Sequence, residues 1–165
     1  MTAATDVNKH FHEILEGFDS AMLVTQTPAG QLRARPMALA HVDANNDVWF
    51  CSQSFAGKVD EVQNDAQVCV TLQSATKYLS LSGKAEIRVD RAKLEEFWTE
   101  SWKVWFPGGK DDPSLILIRV AADVGEYWDN SGTKGIGYFI EAGKAYLKGE
   151  RPDVDTPERH AKTKL

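Results

Sequence analysis

Two arginines, Arg33 and Arg35, stand in the run LRARPMALA (32–40), which otherwise has the small, apolar make-up of a β-strand. Side chains alternate on a strand. Arg33, Arg35, Met37, Leu39 and His41 therefore share one face, and Ala34, Pro36, Ala38, Ala40 and Val42 the other. The second face reads as the crowded interior of a barrel, the first as the charged side. Pro36 has no N–H to give to a ladder and biases Arg35 towards an extended backbone. Guanidinium groups on a stiff element suit two-pronged recognition of phosphate or carboxylate. A solvated outer face with surface ion pairs would read the same way.

A second run, WFCSQSFAGK (49–58), ends a strand in Ser52 and Ser54 and opens a helix with Gly57 and Lys58. Unpaired N–H groups and the dipole at a helix start favour anions. The hydroxyls and Lys58 would complete a phosphate cradle, although a plain Ser cap with an exposed lysine has the same sequence. The spacing is not that of a GxxxxGK[ST] phosphate loop. Aromatic residues supply a third feature. Trp98, Trp102, Trp105 and Phe106 crowd one segment, and Tyr127 and Trp128 come later. Aromatic faces beside an anion site suit a flat heteroaromatic ligand. Trp98, on a helix with Leu94, reads instead as core.

The familiar catalytic sets are missing: there is no GxSxG elbow and no HExxH. His10 and His12 point to different sides of one helix and read as surface residues. His41, on the arginine face, reads as structural.

The elements that must position these residues follow from period and punctuation. Asp6 can cap a first helix carrying Phe11, Ile14, Leu15 and Phe18, with Gly17 at its end. Strands are expected at 20–27, 31–42, 48–53, 67–73, 78–89 (bending at Gly83) and 115–128. Ser54 is expected to cap a helix to about Asn64, with Val59 and Val62 as its apolar positions, and Asp90 one with Leu94, Phe97 and Trp98. Six strands joined mostly by short turns, without βαβ alternation or GxGxxG, point to a mainly β (α+β) fold: an antiparallel barrel with peripheral helices. Residues 1–143 form the domain, and 144–165 read as a polar, flexible tail.

At 165 residues the chain fits one domain, and its net charge of −5 lacks the footprint of a nucleic-acid binder. Cys51 and Cys69 have no CxxC spacing and read as reduced thiols in strands, with no metal site. There is no apolar leader and no stretch of about 18 apolar residues, so a cytoplasmic location with no membrane partner is expected.

In order and spacing, RxRPM (33–37), WF with SQSFAGK (49–58), WFPGGKDDPSLILIRV (105–120) and EYWDN (126–130) resemble one known group over roughly residues 8–130. The chain resembles the bacterial general stress proteins of the pyridoxamine 5′-phosphate oxidase-like superfamily, which have the FMN-binding split β-barrel. The resemblance implies a six-stranded antiparallel split barrel and a homodimer with flavin at the subunit interface. It implies that Arg35, Pro36 and Met37 line the flavin ring edge and ribityl chain, with the arginines, Arg33 included, facing an anionic cofactor. Trp49, Phe50, Cys51 and Ser52 would follow the same wall, Ser54 and Lys58 would hold the phosphate, and Trp105 and Trp128 would come across from the partner.

The fuller substrate-phosphate set of the true oxidases, and their arginine-rich C-terminal stretch, are not present, so oxidation of a B6 vitamer is not carried over. The expected function is an FMN-dependent oxidoreductase of unknown substrate and electron donor. The alternative is a non-catalytic flavin carrier or stress sensor. FAD or a deazaflavin would also satisfy the cradle. A haem-binding relative on the same barrel is a third reading, for which the sequence offers no well-placed ligand pair.

Overall fold

The structure, a computed structural model, describes residues 3–149, 156–157 and 159–165. Among the described residues seven strands form: β1 (Ser20–Gln26), β2 (Leu32–Val42), β3 (Val48–Gln53), β4 (Gln67–Gln73), β5 (Lys77–Arg88), β6 (Leu115–Asp129) and β7 (His160–Lys164). Four α-helices accompany them: α1 (Ala3–Leu15), α2 (Gly57–Asn64), α3 (Arg91–Phe97) and α4 (Thr133–Lys148). A 3₁₀ turn spans Glu100–Val104.

The sheet runs β3-β2-β1-β4-β5-β6-β7, and an added β3–β6 pairing closes the first six strands into an antiparallel barrel. The 15-residue β6 makes this possible. Its first half pairs with β3 from Leu115 to Val120, and its second half, from Val124 to Trp128, carries β7. β5 follows β6 along most of its length, with a register shift at Ser82/Gly83. A Cβ on Gly83 would collide with the carbonyl of Ala121, so glycine is what lets the strands touch at the expected bend.

The main core fills the barrel and extends under α1, with Phe11, Leu23, Phe50, Leu81, Ile118 and Tyr127 fully buried. A smaller cluster (Trp49, Cys51, Leu94, Phe97, Trp102, Leu117) lies outside β3, beneath α3 and the 3₁₀ turn.

Several expectations are corrected. The core side of β2 is the arginine side: Met37 is buried and Leu39 packs on the core, whereas Ala34, Pro36 and Ala38 are exposed. A bulge between Leu39 and His41 breaks the strand's alternation, and His41 stacks on Phe97 at 4.6 Å. Asp6 lies in the first turn of α1 instead of capping it. Ala56, not Ser54, is the N-cap of α2, with no side-chain cap bond, while Asp90 does cap α3 by accepting from the Lys93 N–H. Trp98 ends α3 and only half-packs on the smaller cluster.

His10 and His12 are half-buried and bonded, His10 to Asp129 at 3.2 Å and His12 to Asn46 at 2.8 Å. The tail reading fails where residues are described: Lys144–Lys148 complete α4, and His160–Lys164 form the seventh strand. Residues 150–155 and 158 of that segment lie outside the described residues.

Candidate functional site

Strand β3 has two neighbours of unequal length. Its pairing with β6 continues to Gln53, but its pairing with β2 stops at Phe50 opposite Leu39. Beyond that point β2 turns to its other neighbour, β1, which it follows from Ala38 to Leu32. The edge of Cys51–Gln53 that would face β2 is therefore left outside the ladder. A cleft of about 440 Å³ occupies the parting, within the ~300–1,000 Å³ of small-molecule sites.

The two walls of the cleft are strand. Ser20, Pro36, Met37 and Ala38 line it from β1 and β2, and Cys51, Ser52 and Gln53 from β3. Its ends differ in chemistry. Ala56 and Lys58, at the start of α2, supply a cation, while Trp102, Trp105 and Phe106, around the 3₁₀ turn, supply three aromatic side chains.

The cationic end is wider than the lining. Arg35 donates from Nη2 to Glu61 Oε2 at 2.6 Å and from Nη1 to the Thr25 hydroxyl. Thr25 donates to the same carboxylate oxygen at 2.5 Å, and Arg33 reaches Oε1 at 3.4 Å. Thr25 and Glu61 are buried, and Arg33 is exposed. Burial pushes the Glu61 carboxyl up, but the Thr25 hydroxyl and the two guanidinium groups outweigh it, so its pKa falls below the ordinary value. Burial pulls the Lys58 ammonium down, Arg35 pulls it further, and Glu61 pulls it back up; the result is a lowered pKa. Three cations against one carboxylate leave this end positive.

The cleft thus gathers Pro36, Met37, Cys51, Ser52, Lys58, Trp102, Trp105 and Phe106 of the residues singled out in the sequence. Trp105 reaches it within its own chain. Arg33 and Arg35 stand behind Lys58, tied to Glu61. Phe50 is buried in the barrel core. Ser54 gives its backbone N–H to the Ser114 carbonyl and does not line the cleft. Trp49 faces the other way, beneath Lys93 at 5.1 Å and Arg119 at 5.8 Å, in a separate hollow of about 300 Å³. Trp128 stacks on His160 of β7 at 5.0 Å.

Sequence reasoning passed over Glu61 and Thr25, which lie 26 and 10 residues from Arg35 and meet it only through the fold. Burial pushes the Cys51 thiol up to about 12, against weaker opposing pulls from the Ser52 backbone and Arg91. Cys51 therefore presents a neutral S–H to the cleft. Among the described residues no cluster of metal ligands occurs, and no helix is long and apolar enough to cross a membrane.

A closed antiparallel barrel parted between β2 and β3, with an anion-attracting helix start at the parting, defines a split-barrel protein. The chain matches the pyridoxamine 5′-phosphate oxidase-like family over residues 6–153 and belongs to it. Among solved structures, one from Jannaschia sp. CCS1, provisionally named general stress protein 26, superposes with a TM-score of 0.73 at 28% identity, covering 98% of this chain and 99% of that one. The general stress FMN/FAD binding protein of Xanthomonas citri shares the fold, with a TM-score of 0.66 at 24% identity, over 78% of this chain and 92% of its own. Protein bli-3 of Neurospora crassa is 29% identical over 119 residues, 66% of this chain; the match spans 57% of that protein's length.

Proposed function

We propose that this chain binds a flavin, FMN in the first instance, in the cleft between β2 and β3, and acts as an FMN-dependent oxidoreductase. The observation that carries the reading is the two-ended lining, with Lys58 and the arginine cluster at one end and Trp102, Trp105 and Phe106 at the other. A phosphorylated flat heteroaromatic molecule needs both ends, and the residues present fit it. The protein of the same fold from Xanthomonas citri is named for FMN/FAD binding, which supports the same reading.

When bound, the flavin would supply the redox chemistry. The chain's part is to hold and orient it. Lys58 and the Ser52 hydroxyl would hold its phosphate, the backbone edge of Cys51–Gln53 would offer it hydrogen bonds, and Trp102, Trp105 and Phe106 would exclude water. FAD fits the same cradle if its adenylate leaves through the mouth.

A homodimer with flavin at the interface is part of the proposal. Its support is the outer face of β2-β1-β4, where Ala34, Pro36, Met22, Val24, Cys69 and Thr71 lie side by side with no charge among them. Exterior strand faces normally carry charge in water. An uncharged one that borders an aromatic cleft suits burial against a second copy.

One observation favours a second reading, a flavin carrier or sensor without turnover. Among the described residues that line the cleft there is no imidazole and no carboxylate. The deciding experiment is a visible spectrum of the purified protein, alone and after adding FMN, FAD and a deazaflavin, followed by mixing with NADPH. A bound flavin bleached rapidly by NADPH supports the oxidoreductase. A bound flavin that no reductant turns over supports the carrier. No flavin bound overturns both.

A further inference from the structure

Glu61 poses a problem that its neighbours make sharper. A cleft that attracts anions has a carboxylate buried at its cationic end, 5% exposed. The hydrogen bonds of that carboxylate run to Arg35, Arg33 and Thr25. Arg35 is consequently tied on both Nη atoms, one to Glu61 and one to Thr25. Lys58, one turn before Glu61 on α2, is the cation that lines the cleft.

Two influences work against the charge of Lys58. One is desolvation, and the other is the nearby guanidinium of Arg35. The opposing influence is Glu61. Without a carboxylate at this position, three cations would converge on a partly dry site, and the compact, deprotonatable ammonium would be the one to yield.

We infer that Glu61 is a positioning residue for anion recognition: it ties Arg35 back and sets a carboxylate one helical turn from Lys58, so that the cleft meets a phosphate with Lys58. The groups acting on this pair are Arg33 and Arg35 from β2, Thr25 from β1 and Lys58 from α2. The inference rests on the cleft being a flavin-phosphate site only for the identity of the anion. The charge relation between Glu61 and Lys58 stands on the chain alone.

The test has two parts. The first needs no ligand: the Lys58 side chain is followed by NMR through an alkaline titration of isotope-labelled protein, with Lys58→Met to assign the resonance. In Glu61→Gln the Lys58 midpoint is expected to fall by about one pH unit or more, the usual effect of removing an adjacent opposite charge. An unchanged midpoint overturns the inference. Should Glu61→Gln not fold, Glu61→Asp, which keeps the carboxylate but draws it back by one methylene, is titrated instead. A Lys58 midpoint below that of the wild type supports the inference, and an unchanged one overturns it.

The second part compares FMN with riboflavin, which lacks the phosphate, across the same pH range by quenching of flavin fluorescence. The preference for FMN is expected to fade as Lys58 titrates, to fade at lower pH in Glu61→Gln, and to lose that pH dependence in Lys58→Met. A preference that follows the same pH course in wild type and Glu61→Gln overturns the inference. A wild type that binds neither flavin, with the NMR shift still seen in Glu61→Gln, retires the flavin reading and leaves the role of Glu61 supported.

Discussion

Lys58 stands at the cationic end of the cleft with a partly desolvated ammonium, and Arg35 stands behind it with both Nη atoms bonded to Thr25 and Glu61. The two residues should fail differently. Lys58→Ala is expected to weaken FMN by about 1–3 kcal/mol, the range for losing a charged hydrogen-bond partner, and to leave riboflavin nearly unchanged; calorimetric titration with both ligands checks this. Arg35→Lys is expected to act first on stability. An ammonium cannot serve Glu61 and Thr25 together as the guanidinium fork does. A buried carboxylate left under-paired should cost about 1–3 kcal/mol in urea unfolding.

Glu61 also gives the fold an acid limb. Its folded pKa is lowered from 4.5, so its contribution is fully present above 4.5 and is lost as the pH falls through the folded value. The urea midpoint of the wild type should therefore drop more steeply than that of Glu61→Gln below about pH 4.5. Parallel acid limbs would show that the carboxylate is unpaired in solution. Part of this site was legible in advance. A lysine at a helix start and a small-residue strand beside aromatics carry their chemistry in type and spacing. Glu61 does not, because its meaning comes from Arg35 and Thr25, which a different strand pairing would have placed elsewhere.

At the level of elements, β1, β4 and β5 were legible because they bury alternate apolar side chains, as in β4, where Val68, Val70 and Leu72 point inward, and β3 and the start of β6 because they are short apolar runs buried on both faces. The sides of β2 were not. Alanine and proline look like core, yet Ala34 and Pro36 face outward, and Met37 with Leu39 supplies the apolar contact. The C-terminal elements escaped for another reason. β7 (HAKTK) has a single apolar residue, Ala161, which packs on the core, and otherwise joins β6 through its backbone and a bond from His160 to Glu126 at 2.7 Å. α4 hides behind three glycines, Gly135, Gly137 and Gly143, residues that lower helix propensity.

The bulge between β5 and β6 makes a local prediction. Gly83→Ala would drive a Cβ into the Ala121 carbonyl, and backbone must move to admit it. A loss of about 1–3 kcal/mol is expected, the usual cost of overpacking. Gly57→Ala, at a position with open space around it, is the matched control that should lose none of it.

For the whole molecule, the proposed dimer would tie oligomeric state to ligand binding through the uncharged face of β2-β1-β4 and the cleft beside it. Met22 pairs with Pro36 on one side and Thr71 on the other, near the middle of that face. Met22→Lys, which places a charge there without touching the core, is expected to shift the proposed dimer to monomer by light scattering and to weaken flavin binding at least tenfold. A monomeric variant with full affinity would show that each cleft is complete within one chain.

The docking of α1 has a temporal side. Asn8 of α1 bonds Thr163 of β7, and Leu165 closes over Phe11 where Gly125 leaves room for its ring. During synthesis α1 emerges long before β6 and β7, so this helix must wait, with Phe11, Ile14 and Leu15 uncovered, until the intervening strands have followed. Contacts of such long sequence separation close late and slowly. A nascent chain stalled before β6 should therefore expose this apolar helix to chaperones, and in refolding the burial of α1 should be among the last events.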